Sequence, residues 1–213
     1  MPVLLKGDST MIIMPTTYSP SAVKRAFSVI HEFEMSGTAM AAIYNPSAPV
    51  AAIIRVDLEE FNGTPRHRVI AKLDLNRKLA VGDNVLAVER FWQDSEALQV
   101  EGIIVDPRQQ FSGLATMLYE LLVTECGITL ASDNEHYEGG KALWQHIAKQ
   151  SEKLAVFVLD AEAGLFYPYN GQKLAYDGKG IPESAIWSEH PDKTHWGVIL
   201  IAEDKRKIAA LAA

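Results

Sequence analysis

The stretch from Leu98 to Gly127 (LQVEGIIVDPRQQFSGLATMLYELLVTECG) constrains this chain more than any other. It reads as a buried strand, a proline turn, a glycine loop and a helix, in that order. Residues 100–105 are apolar, with β-branched side chains in the second half, and predict the strand. Asp106-Pro107 ends it, because proline has no N–H to give a ladder. From Gly113 onward Leu114, Met117, Leu118, Leu121, Leu122 and Cys126 recur on one helical face, and Gly127 suits the C′ position. Between strand and helix lies Gln110-Phe111-Ser112-Gly113-Leu114-Ala115. Its form is Gln/Arg-x-x-Gly-x-Gly/Ala.

That form suits a phosphate. The first N–H groups of a helix lack intrahelical partners and carry the positive end of its dipole. A glycine and a small residue let a pyrophosphate approach that backbone closely. By ordinary residue usage the six-residue pattern recurs about 0.2 times in a chain of this length. The weight therefore falls on the strand before it and the amphipathic helix after it. In this combination the stretch resembles motif A of the GNAT superfamily, the acyl-CoA-dependent N-acyltransferases.

The resemblance covers residues 98–160 best. It implies an α+β fold: a mixed, mostly antiparallel sheet, splayed beside the central strand and flanked by helices, as a single domain over 1–213. It implies acetyl-CoA or another acyl-CoA as donor. The backbone of Ile103, Ile104 and Val105 would hold the thioester and pantetheine, and the loop from Gln110 to Ala115 the pyrophosphate. The acceptor would be an amine of a small molecule or a protein. The run SDNEHYEGGKALW is also similar to short acetyltransferase-like proteins of tailed-phage genomes, which adds a non-catalytic binding, interaction or virion role as the alternative.

N-acetylation needs a base for the ammonium, donors for the thioester carbonyl and an acid for the departing thiolate. In many family members a carboxylate on the central strand is the base. Glu101 is the acidic residue inside that strand, and a solvent-facing position near the strand start explains it equally well. The family's acid is a tyrosine in the pattern Asn-x-x-Ala-x-x-Leu-Tyr. Here Trp144 falls on that tyrosine and Tyr137 on the asparagine. Tryptophan has no acidic hydroxyl, so Tyr137 becomes the candidate acid. Asp133 is a further polar group at a strand end.

Composition bounds the rest. A net charge of −7 argues against a broad polyanion-binding face, so nucleic acid is disfavoured as a partner. A single cysteine excludes an internal disulfide and fits a reducing, cytoplasmic compartment, the host's if the chain is phage-encoded. No apolar run approaches membrane-spanning length, and the N-terminus lacks the pattern of a signal peptide. Cys126, on an apolar helix face, reads as an inert thiol. His190 and His195 read as loop residues without a metal, and His136 and His146 as surface residues. The aromatics Tyr167, Tyr169, Tyr176, Trp187 and Trp196 suit an acceptor pocket, a homodimer face or plain packing.

The remaining elements follow from pattern. Residues 11–14 predict an opening strand. Ser19-Pro20 predicts an N-cap and N1 proline for a helix running to about His31, with Val23, Phe27 and Ile30 inward. Residues 38–44 and 49–56 predict a hairpin around Asn45-Pro46-Ser47, followed by a polar loop over 61–66. Strands are expected at 68–75, 85–92, 128–131, 155–159, 164–169 and 196–202. Ser132-x-x-Glu135 predicts a capping box opening a helix over 137–149.

Overall fold

The computed structural model describes residues 3–5, 16–81, 84–85, 91, 96–133, 135–188 and 197–211. In chain order the elements are β1 (Val3–Leu5), β2 (Thr17–Tyr18), α1 (Pro20–Ala26), β3 (Ser28–Met35), β4 (Thr38–Asn45), β5 (Val50–Phe61), β6 (Thr64–Asn76), β7 (Ala80–Val81) and β8 (Asn84–Val85). Then come β9 (Ala97–Val105), a 3-10 turn at Pro107–Gln109, α2 (Leu114–Thr124), β10 (Thr129–Ala131), β11 (Glu135–Tyr137) and α3 (Glu138–Gln150). The chain closes with β12 (Leu154–Asp160), β13 (Leu165–Phe166), β14 (Ala175–Tyr176), a 3-10 turn at Glu183–Ala185, β15 (Val198–Asp204) and α4 (Lys205–Leu211).

The expected fold class is corrected. Among the described residues 46% are strand and 24% helix, and eleven strands form one mixed sheet. It is not a GNAT-like α+β fold of helices flanking a splayed sheet. The excess of strand has a local cause. Ser36-Gly37 and Asn62-Gly63 each place two consecutive residues at positive φ (52° and 73°, 50° and 73°), the geometry of a two-residue hairpin turn. These turns make long hairpins of β3–β4 and β5–β6 where a helix end and a polar loop were expected.

Two compact units divide the chain. One holds residues 10–75 and 101–121. In it β3, β4, β5 and β6 pair antiparallel in sequence order, with β2 also on β6. The amide of Asp106, just past β9, donates to the Ile70 carbonyl on β6 at 2.7 Å. Its sheet buries Ala41, Ile43, Ala52, Ile54 and Val69, and Tyr18, Val23 and Phe27 pack on them. The helix expected to reach His31 stops at Ala26, since Phe27 is already extended (φ −119°, ψ 146°). The residues beyond it, with β-branched Val29 and Ile30, join the ladder as β3.

The other unit holds residues 1–9, 76–100 and 122–213. Here the first half of β9 runs parallel to β10, with Ala97, Leu98 and Gln99 opposite Thr129, Leu130 and Ala131. β15 pairs antiparallel with β10 on one side and β12 on the other, and β13 and β14 pair with β12. Phe157, Leu159, Ile199 and Ile201 anchor its core. β1 pairs in parallel with β11, apart from the main sheet. α4 sends its cations to helix-end carbonyls: Lys205 to Ser151, past α3, and Arg206 to Thr124, at the end of α2. That arrangement satisfies orphan carbonyls and the negative dipole ends.

The expected capping box does not form. Tyr137, without a side-chain cap bond, is the N-cap of α3, and the Ser132 hydroxyl instead accepts the Leu200 amide of β15 at 3.0 Å. The strand expected over 164–169 shortens to β13, and that over 196–202 is β15. The strand predicted at 11–14, most of that at 85–92, and His190, His195 and Trp196 lie outside the described residues.

Candidate functional site

The glycine loop is built from β9 forward. Asp106 closes the strand, and its carboxylate accepts the Arg108 amide at 3.0 Å, capping the 3-10 turn. The turn delivers the chain to Gln110, Phe111, Ser112 and Gly113, all exposed. Phe111 and Gly113 both sit in the left-handed region, at φ 64° and 80°. Ser112 turns back, its hydroxyl donating to the Gln109 carbonyl. The Gly113 carbonyl accepts the Met117 amide at 2.9 Å and so opens α2. Leu114 is buried, Ala115 half-buried, and Leu118, Tyr119, Leu121 and Leu122 are buried behind them. Each buried leucine contributes about 1.5–3 kcal/mol, so the helix start is held firmly.

The approach side of the loop is open. A Cβ built on Gly113 meets no atom within 4 Å. Gly113 has no side chain to cap the helix, and among the described residues no side chain accepts from the amides of Leu114, Ala115 or Thr116. The loop therefore has what a pyrophosphate requires: unengaged amides at the positive end of a helix and space above them.

Asp106 fixes the entrance to this loop. It is 8% exposed, and besides the Arg108 amide it accepts from the Arg68 guanidinium at 3.1 Å. Arg68 lies 3.8 Å from Glu59, which also pairs with Arg55. The Arg108 amide, and then Arg68, hold the Asp106 carboxyl below the usual carboxylate range against the opposing effect of burial. Sequence reasoning missed this pair. Asp106 was legible as a turn residue, but Arg68 lies 38 residues away and carries no local signal.

The expected catalytic residues fall as follows. Glu101 is exposed on β9, and Ile103, Ile104 and Val105 are half-buried beyond it. All four belong to the unit that carries the loop. Tyr137 is half-buried at the N-cap of α3, opposite Leu5 of β1, and belongs to the other unit. Trp144 is 2% exposed and is a core residue of α3. Asp133 is half-buried, and its backbone carbonyl accepts from Ser132 and from His136.

His136 corrects the surface reading. It is 5% exposed, and its Nε2 donates to the Asp133 carbonyl at 3.0 Å. Burial pushes its pKa down to about 4, so the ring is neutral at pH 7. Cys126 is half-buried, and burial together with the neighbouring Glu125 charge pushes its thiol up, which keeps it protonated and unreactive. Among the described residues no group of three His, Cys, Asp or Glu side chains is placed to hold a metal, and no helix is long and apolar enough to cross a membrane.

No protein-family model matches this sequence, no curated protein matches it, and no solved structure matches its fold.

Proposed function

We propose that this chain transfers an acyl group, acetyl in the simplest case, from an acyl-CoA to an amine of a small molecule or a protein. One observation carries the reading: the start of α2 presents uncapped amides beneath an open Gly113, at the stretch that resembles the acyl-CoA motif of the GNAT superfamily. The donor supplies an activated thioester. The amides of Leu114, Ala115 and Thr116 would receive its pyrophosphate, and Gly113 would let it approach. The extended backbone of Ile103, Ile104 and Val105 would bond the pantetheine amides. Glu101, in the same unit as the loop, would take the proton from an acceptor ammonium, directly or through a water. The thiolate would leave as such and take its proton from water.

Calorimetric titration with CoA tests the binding step, and a screen of amines for thiol release from acetyl-CoA tests the chemistry. At 100 times its Kd, CoA should stabilise the fold by about 2.7 kcal/mol. With an acceptor found, Glu101→Gln should lower kcat by about 10²–10⁴ with CoA affinity unchanged. Wild-type turnover of that variant across pH 6–9 removes Glu101 from the mechanism.

A second reading is a CoA-binding protein without transferase activity, acting as an interaction or virion component. Trp144 favours it, since an indole packed in the core stands where the resemblance calls for a tyrosine acid. CoA binding without thiol release from any amine or protein would select this reading.

A further inference from the structure

We infer that Phe111 is a stacking platform for the purine base of a nucleotide-bearing donor, and that it sets a preference for CoA over bare phosphopantetheine. The inference rests on the acyl-CoA reading of the loop and adds a specificity-determining residue to it.

Phe111 is the anomaly of the described surface. Its relative exposure is 104%, whereas the other exposed large apolar residues lie between 36% and 54%. It has no ring partner among the described residues. Its backbone sits at φ 64°, a conformation that bulky residues seldom take and that glycine or asparagine would occupy freely. Fold stability thus explains neither the residue type nor its placement: the ring buries nothing and the backbone is disfavoured.

Position supplies the occupant. Phe111 lies two residues before Gly113, so their Cα atoms are within about 7.6 Å of each other. A base joined through one ribose to a pyrophosphate over Gly113 reaches that distance. The π-face of a purine is flat and uncharged, and every base offers one to an aromatic ring. Exposed Arg108, earlier on the same turn, adds positive charge beside a nucleotide phosphate in a chain of net charge −7. Phosphopantetheine has no base, so Phe111 discriminates between donors that share a reactive arm.

The test is calorimetry on wild type, Phe111→Ala and Phe111→Trp with three probes: CoA, 4′-phosphopantetheine and adenosine 3′,5′-bisphosphate. Truncating a ring this exposed should leave the thermal midpoint near that of wild type. Phe111→Ala should weaken CoA and the bisphosphate by about 5- to 100-fold, leave phosphopantetheine unchanged, and Phe111→Trp should restore the nucleotide probes. Equal CoA affinity in wild type and Phe111→Ala overturns the inference while leaving the acyl-CoA reading intact. An equal loss for phosphopantetheine also overturns it, because the change would then lie in loop geometry. Wild type that binds no CoA removes the acyl-CoA reading and this inference with it.

Discussion

Two helices of the same compact unit begin in opposite ways. At α1 the Ser19 hydroxyl accepts the Ala22 amide at 3.1 Å, Pro20 fills the first turn, and the Ser19 carbonyl takes the Val23 amide. Its orphan donors are met from within, as an N-cap serine should do. At α2 the equivalent position is Gly113, which caps nothing, and the residue two before it is a solvated phenylalanine at positive φ. A helix whose start serves only the fold is closed by its own sequence. One whose start is left open, on a loop that Asp106 and Arg68 hold in place, has its donors available for something else. A third start, that of α3, lacks a side-chain cap too: a Cβ on Gly140 would lie 3.6 Å from the His136 Nδ1, whereas one on Gly139 would meet no atom within 4 Å.

The contrast can be broken or sharpened at each helix. The largest effect belongs to α3, whose inward face is structural here. Trp144→Ala should destabilise the fold by about 3–5 kcal/mol, read from denaturant midpoints. A loss under 1 kcal/mol would mean that the indole is free for a site role.

Next is the pH dependence of the α3 start. The folded His136 pKa of about 4 lies below the ordinary 6.5, so its contribution is complete above pH 6.5 and is lost as pH falls toward 4. The shift corresponds to ~3 kcal/mol. Asp106 and Asp204, whose carboxyls are also held low, lose their contributions only below their ordinary value of 3.8, outside this window. Glu183, held low by Lys141 and Gln145 from an ordinary 4.5, adds to the slope only below that value, so unfolding titrations should show the slope between pH 6.5 and 5 in wild type and not in His136→Leu.

At α2, Gly113→Val puts a β-branched side chain into the open space and at φ 80°. CoA affinity should fall on the order of 100-fold, about 2.7 kcal/mol. The smallest effect is at α1. Ser19→Ala should lower stability by about 1 kcal/mol and leave CoA affinity unchanged, as expected of a cap with no ligand role.

How legible was this in the sequence? The segment over 98–127 reads well because strand, turn, glycine and amphipathic helix are all local signals. Ser19-Pro20 reads well for the same reason. Over 27–76 the reading failed at particular residues. Val23, Phe27 and Ile30 mimic helical spacing, yet Phe27 ends the helix and Ile30 belongs to β3. Asn62-Gly63 is a strong hairpin signal that composition disguised as a polar loop. Ser132 could not have been read correctly from its neighbours, because the amide that claims its hydroxyl is 68 residues away. The same holds for Arg68 and Asp106, and for the Lys173 ammonium, which sits over Phe157 and Phe166 and pairs with Glu203. Long-range pairing decides such positions, and one-dimensional spacing does not encode it.

The most direct measurement is amide hydrogen exchange at the two helix starts with and without CoA. The account predicts that Leu114, Ala115 and Thr116 exchange rapidly in the free protein and slow markedly at saturating CoA, while Ala22 and Val23 of α1 do not change. Unchanged exchange at 114–116 under saturating CoA, or strong protection there before any CoA is added, would contradict it.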